Sequence, residues 1–168
     1  GNLEINKYMG EMYTIPVKAN PSSNTYQSWY IRKDWLDALN LEMPRTIEEV
    51  LDVAIAFTTS DPDKNNKDDT YGFSSSNNAG ANGLIVFEGI FNAYDTNYKN
   101  NFIIRDGKVT SSLLQPLMKD ALVMAKRFID AGVVDPDILS NNDEALRDKL
   151  MQNKVGMTTL KWSGLFKQ

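Results

Sequence analysis

Between residues 61 and 72 the chain reads Asp61-Pro-Asp63-Lys-Asn65-Asn-Lys67-Asp68-Asp69-Thr-Tyr-Gly72, with oxygen-bearing side chains at alternate positions followed by two further carboxylates. Calcium takes about six to eight oxygen ligands at roughly 2.3–2.6 Å, and a tight loop with acidic or amide side chains at every second position can turn them toward one centre. Four carboxylates and an amide within nine residues repel one another unless a cation lies among them. The candidate ligand set follows the alternation: Asp61, Asp63, Asn65, Lys67 and Asp69. An acidic, solvated turn is the competing reading. Asn66 stands where a helix–loop–helix calcium site has its turn glycine, and Gly72 where that site has its closing Glu. Asn tolerates a left-handed backbone, so the first departure is mild. The second requires waters or a distant residue to finish the shell, which favours a structural staple over a sensor.

Other chemistry is narrowed by what is missing. With no histidine and no cysteine, the chain lacks the commonest general base and transition-metal ligand, any thiolate zinc site and any cysteine nucleophile. No Gly-rich phosphate cradle is present, since Gly80-Ala-Asn-Gly83 lacks the Lys-Ser/Thr that would complete one. Ser74-Ser75-Ser76 has no histidine partner. Two carboxylates suffice for glycoside hydrolysis, but 22 acidic residues make any nominated pair arbitrary. Glu88 is the one acid in an apolar setting, and a surface stripe is its expected place. The chain is therefore expected not to be an enzyme. Net charge of −4 with no basic cluster argues against a nucleic-acid footprint, and no apolar run approaches the roughly 18–20 residues of a membrane span. Seventeen asparagines give a hydrogen-bonding surface suited to uncharged polyhydroxylated ligands.

The elements that would position these groups alternate between strand and helix, which predicts a mixed α/β architecture. Strands are expected at 13–17, 28–32, 71–74 and 155–158, and a short helix from Lys33 to Asn40. Thr46-Ile-Glu-Glu49 is a capping box opening a helix that buries Ile47, Val50, Leu51, Ala54 and Thr58. A loop at 75–83 leads to a helix over 84–91. Asp106-Gly107 between β-branched runs predicts a hairpin over 102–109. The longest helix is expected over 113–131, with Pro116 in its first turn and Gly132 as its stop. Asn141-Asn-Asp-Glu144 caps a helix running to Gln152. At 168 residues the length suits one domain; with Gly1 first and an apolar segment last, it reads as a single excised domain over 1–168.

Six segments occur in an order that resembles the extracellular solute-binding proteins of sugar-type ABC transporters, family 1-like. They are Tyr13-Thr-Ile-Pro16, Tyr30-Ile-Arg-Lys-Asp-Trp-Leu-Asp-Ala-Leu-Asn-Leu41, Pro44-Arg-Thr-Ile-Glu-Glu-Val50, the 61–72 loop, Phe128-Ile-Asp-Ala-Gly-Val-Val-Asp-Pro136 and Lys149-Leu-Met-Gln-Asn-Lys-Val-Gly-Met157. Asn40 and Asn153 replace glycines of that pattern at left-handed positions that Asn can occupy. The resemblance implies a type II periplasmic-binding-protein-like lobe, helices packed around a small mixed sheet, with hinge-proximal strands near 13–17 and 155–159. It implies capture of an extracellular carbohydrate or oligosaccharide between two lobes and delivery to an ABC transporter permease. It also implies an exported parent chain held at the cell surface by a lipid anchor, as a lipoprotein. Sugar recognition needs aromatic faces and a ring of amides and hydroxyls. Asn20, Tyr26 and Trp29 after the first hinge segment, and Trp162 after the last, are the candidates, with core packing as the alternative for Trp29. A calcium-stapled adhesion or protein-interaction module without a transport role is the other functional reading.

Overall fold

The computed structural model describes residues 27–77, 83–96 and 102–161, with the two pairs 7–8 and 11–12. The strand expected at 13–17 and the residues Asn20, Tyr26 and Trp162 lie outside the described residues. Among these residues no helix is long and apolar enough to cross a membrane.

Two short strands, β1 (Lys7–Tyr8) and β2 (Glu11–Met12), pair with each other. The main sheet has three strands: β3 (Gln27–Ile31), β4 (Tyr71–Ser75) and β7 (Val155–Lys161). Its order is β3-β7-β4, with β7 antiparallel to β3 and parallel to β4. A bridge from Phe73 to Val134 lengthens the sheet beyond β4. β7 is the central strand, and every residue of it from Val155 to Leu160 is buried, as expected of a strand covered on both faces.

The alternation of side chains assigns the two faces. Helix α1 (Lys33–Ala38) and helix α2 (Ile47–Thr59) lie over the face of Gly72 and Gly156. A Cβ on Gly72 would stand 2.2 Å from the Ala54 carbonyl oxygen, and one on Gly156 would stand 2.2 Å from the Phe57 ring. Glycine is required at both because α2 presses directly on the strands. Trp35 of α1 meets Phe57 edge-on at 5.3 Å. The opposite face carries Trp29 and Phe73, whose rings meet at 5.3 Å, and is covered by helix α3 (Glu88–Ala93) and helix α4 (Met118–Asp130). Phe73 packs against Phe87 and Phe128 there. The result is a helix–sheet–helix sandwich with one core.

The expected helices form, with instructive departures. Thr46 Oγ1 accepts from the Glu49 N–H at 3.2 Å, but the Glu49 carboxylate takes the Arg45 N–H at 2.6 Å, so the box is offset by one residue. Along α2 the buried residues are Leu51, Val53, Ala54 and Phe57, a stripe rotated from the expected one, with Ile47 and Val50 at its edge. The segment expected as one helix over 84–91 begins as a 3-10 turn, Gly83–Phe87, before α3. The hairpin is β5 (Phe102–Arg105) and β6 (Lys108–Ser111), turning through Asp106 and Gly107 at φ of 52° and 72°. Pro116 is not inside the long helix. Gln115 before it is extended at ψ 143°, because a proline excludes its predecessor from helical geometry, and α4 opens only at Met118. Gly132, at φ 69°, ends it as expected. Helix α5 (Asp143–Met151) is capped by Asn142, whose side chain accepts from the Ala145 N–H at 2.8 Å. Asn40 and Asn153 stand at φ 55° and 60°, the left-handed positions expected of them.

Candidate functional site

The 61–69 loop leaves the end of α2 through backbone that only small or amide residues adopt easily: Asp61, Lys64 and Asn66 have φ of 46°, 57° and 59°. Its acidic groups close around Asn65. The Asn65 N–H donates to Asp61 Oδ1 at 3.2 Å and to Asp63 Oδ1 at 3.4 Å. Its Nδ2 donates to Asp63 Oδ2 at 2.9 Å and Asp69 Oδ1 at 3.2 Å. Asp61 Oδ2 takes the Asn66 N–H at 3.0 Å, and the Lys67 N–H donates to Asn65 Oδ1 at 2.7 Å. Burial, then the neighbouring Asp61 carboxylate and the charge of Asp69, hold the Asp63 carboxyl above its ordinary range. A site of that kind gains when positive charge arrives. The donor set is all oxygen, which suits a hard cation. The carboxylates nevertheless ring the Asn65 amide rather than one shared point, and among the described residues no group of three or more acidic side chains forms a metal cluster. Asn65 Nδ2 takes the bridging role between Asp63 and Asp69 that a cation would take. Lys67 could offer only its backbone carbonyl, since a charged ammonium has no lone pair.

Arg32, just after β3, ties the start of α1 to the turn before β7. Its guanidinium stacks on the Trp35 ring at 4.8 Å, chelates Asp34, and donates to Asn153 Oδ1 at 2.8 Å in the turn before β7. The bond to Asp34 raises Arg32 further and lowers Asp34, with the charge of Asp63 adding to the rise in Arg32.

The other arrangement of interest is the edge where β4 and β7 end and β3 begins. In open sheets with parallel strands, ligands sit outside the carboxyl ends of those strands. Here the last rung across the three strands is Trp29, Thr159 and Ser75. Ser75 Oγ lies 3.2 Å from both the carbonyl oxygen and Oγ1 of Thr159. The Trp29 ring is half-buried against Phe73. Gly89 closes the rung from α3: a Cβ there would lie 2.6 Å from Thr159 Cγ2 and 3.0 Å from the Trp29 ring. Glu88 beside it is buried, only 4 % exposed, and not on a surface stripe as the apolar run suggested. The 3-10 turn before α3 resets the phase of the helix, and that reset moves Glu88 inward.

Next to this edge a buried polar cluster ties β4 to the 133–143 connection and α5. Ser74 Oγ donates to Asp135 Oδ2 at 2.7 Å, and Asn141 Nδ2 donates to the same oxygen at 2.8 Å. Lys149 Nζ donates to both Asp135 oxygens at 2.8 Å and to Asp137 Oδ2 at 2.9 Å. Burial alone pushes the Asp135 carboxyl up, but Lys149, the Asp137 N–H, Ser74 and Asn141 together hold it below its ordinary range. Burial lowers Lys149, and the two carboxylates outweigh that and raise it. Beyond β4, Ser76 Oγ donates to Asp143 Oδ1 at 2.6 Å and the Asn77 N–H to the Asn141 carbonyl at 2.7 Å. The cluster thus fixes the chain leaving the carboxyl edge. Nothing in the sequence singled out this cluster, because the partners of Asp135 lie 61 and 14 residues away.

No family model matches the chain. It is 34 % identical over 148 residues to the polygalacturonan/rhamnogalacturonan-binding protein YtcQ of Bacillus subtilis, covering 88 % of this chain and 28 % of that protein. It is 29 % identical over 133 residues to lipoprotein LipO of the same organism, covering 76 % of this chain and 25 % of LipO. Among solved structures, the Streptococcus pneumoniae ABC-transporter substrate-binding protein FusA, in complex with kestose, superposes with a TM-score of 0.67 at 27 % identity, over 80 % of this chain and 27 % of that one. This chain is homologous to part of the sugar-binding proteins of ABC transporters. A solute-binding protein from Bifidobacterium longum infantis that binds HMO shares the fold with a TM-score of 0.68 at 24 % identity, over 90 % of this chain and 33 % of that one. The chain therefore spans about a quarter to a third of the length of these solute-binding proteins, and its fold is that of a type II periplasmic-binding-protein-like unit. The structural neighbours include an EF-hand mutant of FusA in complex with fructo-nystose and the alginate-binding protein AlgQ2 without calcium ion, at 21 % and 22 % identity.

Proposed function

We propose that this chain is one lobe, over 1–168, of an extracellular two-lobed solute-binding protein that captures an oligosaccharide and delivers it to an ABC transporter permease. The observation that carries the reading is homology along most of the chain to solute-binding proteins whose named ligands are carbohydrates. The geometry supports it: the half-buried Trp29 ring stands at the carboxyl edge of the sheet, on the rung it shares with the buried Thr159 and Ser75. Flat aromatic faces take the C–H faces of a sugar, and hydroxyls and amides take its OH groups. Asn20, Tyr26 and Trp162 are the further residues assigned to the binding wall in this proposal. In this proposal the segments near 13–17 and 155–159 lead to the hinge, closure of the lobes about the solute creates the docking form, and no covalent step on the solute is involved.

The 61–69 loop is proposed to hold a structural calcium ion through Asp61, Asp63, Asn65, Asp69 and the Lys67 carbonyl, the ion supplying the positive charge that the crowded carboxylates lack. Export with a lipid anchor on the parent chain is part of the same proposal, supported by the similarity to a lipoprotein. Isothermal titration of the full-length protein against neutral and acidic oligosaccharides tests the reading. Heat with at least one oligosaccharide is the expected result; none with any sugar, together with binding to a protein partner, would replace it with the adhesion-module reading.

A further inference from the structure

The β5–β6 hairpin turns its apolar side outward. In its register Phe102 faces Ser111, Ile103 faces Thr110, Ile104 faces Val109 and Arg105 faces Lys108. Phe102, Ile104, Val109 and Ser111 therefore share one face, and Ile103, Arg105, Lys108 and Thr110 the other. An antiparallel pair with one wet side ordinarily puts its apolar face inward. Here Ile103 and Thr110 are the half-buried pair, and Arg105 on their face reaches Asp95, after α3, at 3.5 Å. Phe102, Ile104 and Val109 stand 71 %, 77 % and 71 % exposed. Leu113 and Leu114, in the turn after β6, continue the exposed apolar run. Nine of the thirteen large apolar side chains exposed among the described residues fall between positions 102 and 129, a concentration rather than the single scattered residues that need no explanation. A two-stranded hairpin is at best marginally stable in water by itself, and a cover over this face would supply what it lacks.

Chain length points to the cover. YtcQ and FusA are each matched over 88 % of this chain but over only 28 % of their own length. We propose that in the full-length protein the Phe102–Ile104–Val109 face is a permanent interface, covered by polypeptide of the same protein outside residues 1–168. This rests on the reading of the chain as one lobe of a larger solute-binding protein. The chemistry of the face sets the kind of contact. A sugar-binding cleft needs amides and hydroxyls, and this face offers only the Ser111 hydroxyl. Largely apolar contacts belong to permanent interfaces rather than transient ones. The covering segment is therefore apolar at its centre, and the face stays closed whether or not solute is bound.

Hydroxyl-radical footprinting of the full-length protein, read by mass spectrometry with and without kestose and a galacturonate trisaccharide, tests the inference and needs no substitution. The expected result is loss of oxidation at Phe102 to the level of the buried Phe73, with and without sugar. Oxidation of Phe102 at the rate seen after unfolding in urea overturns the inference. Protection that appears only with sugar also overturns it, since the face then belongs to the closing cleft. Protection that fades on dilution, with a dimer seen by light scattering, replaces the proposed cover with a second copy. Ile104→Ser gives an independent readout: it should lower the melting temperature by about 2 °C or more, whereas a solvent-facing position would leave it unchanged. Isothermal titration of the same preparation separates this inference from oligosaccharide capture. Protected Phe102 without heat from any sugar sinks capture and leaves the interface; heat with an oxidised Phe102 does the reverse.

Discussion

Replacing Lys149 by Met is expected to destabilise the fold by about 2–3 kcal/mol. Asp135 has a fully buried side chain, and Lys149 is 19 % exposed. Removing one partner of a buried pair typically costs about 3–5 kcal/mol, because the other charge stays behind uncompensated. Two features reduce that here: Lys149 retains some contact with water, and Asp135 keeps its bonds from Ser74, Asn141 and the Asp137 N–H. For a domain of this size the loss corresponds to a fall in melting temperature of about 4–12 °C. The sign of the pH dependence follows from the two shifts. Asp135 is depressed in the folded state, so its contribution is complete above the ordinary Asp value of about 3.9 and disappears as pH falls through the lower folded value. Lys149 is raised, so its contribution is complete below about 10.4 and disappears as pH rises through the higher folded value. Melting followed by circular dichroism at pH 7 and pH 3 should therefore show a large gap between parent and variant at pH 7 and a smaller one at pH 3. Adding Asp135→Asn to Lys149→Met should recover part of the loss, because no buried charge then remains. Equal melting temperatures at pH 7, or a gap independent of pH, would refute the assignment of this cluster as the clamp on the carboxyl edge.

Chelation of divalent cations should lower the melting temperature of the parent. A ligand at about 100 times its dissociation constant contributes about 2.7 kcal/mol, and an unchanged midpoint would leave the 61–69 loop as an acidic turn. Gly72→Ala should cost about 3 kcal/mol or more, since the new methyl would meet the Ala54 backbone, which has no flexible end to move aside; a chemical-denaturation midpoint within error of the parent would contradict the close approach of α2. Asn153→Ala should cost about 1–2 kcal/mol through a left-handed backbone and the lost bond from Arg32, whereas Asn153→Gly should retain most of that stability; equal loss in both variants would shift the explanation from backbone to hydrogen bond.

Much of this protein was readable from local chemistry alone. The Asp106-Gly107 turn, the Thr46 cap and the left-handed asparagines at 40 and 153 depend on residues within a few positions, where backbone sterics and nearby side chains decide the outcome. The alternation of strands with helices was legible for the same reason, as was the acidic loop with its oxygen donors. Three things were not. The buried stripe of α2 turned toward Val53 and Phe57 because Gly72 and Gly156, far along the chain, leave room for that helix to press on the sheet. Pro116, expected in the first turn of the helix, instead moved the start of α4 to Met118 by excluding Gln115 from helical geometry. Only the tertiary structure put Glu88 inside, brought Ser74, Asp135, Asn141 and Lys149 into one cluster, and aligned Trp29 with Thr159 and Ser75. Those contacts join segments dozens of residues apart, and their free energy comes from shared burial, which no single stretch of sequence carries.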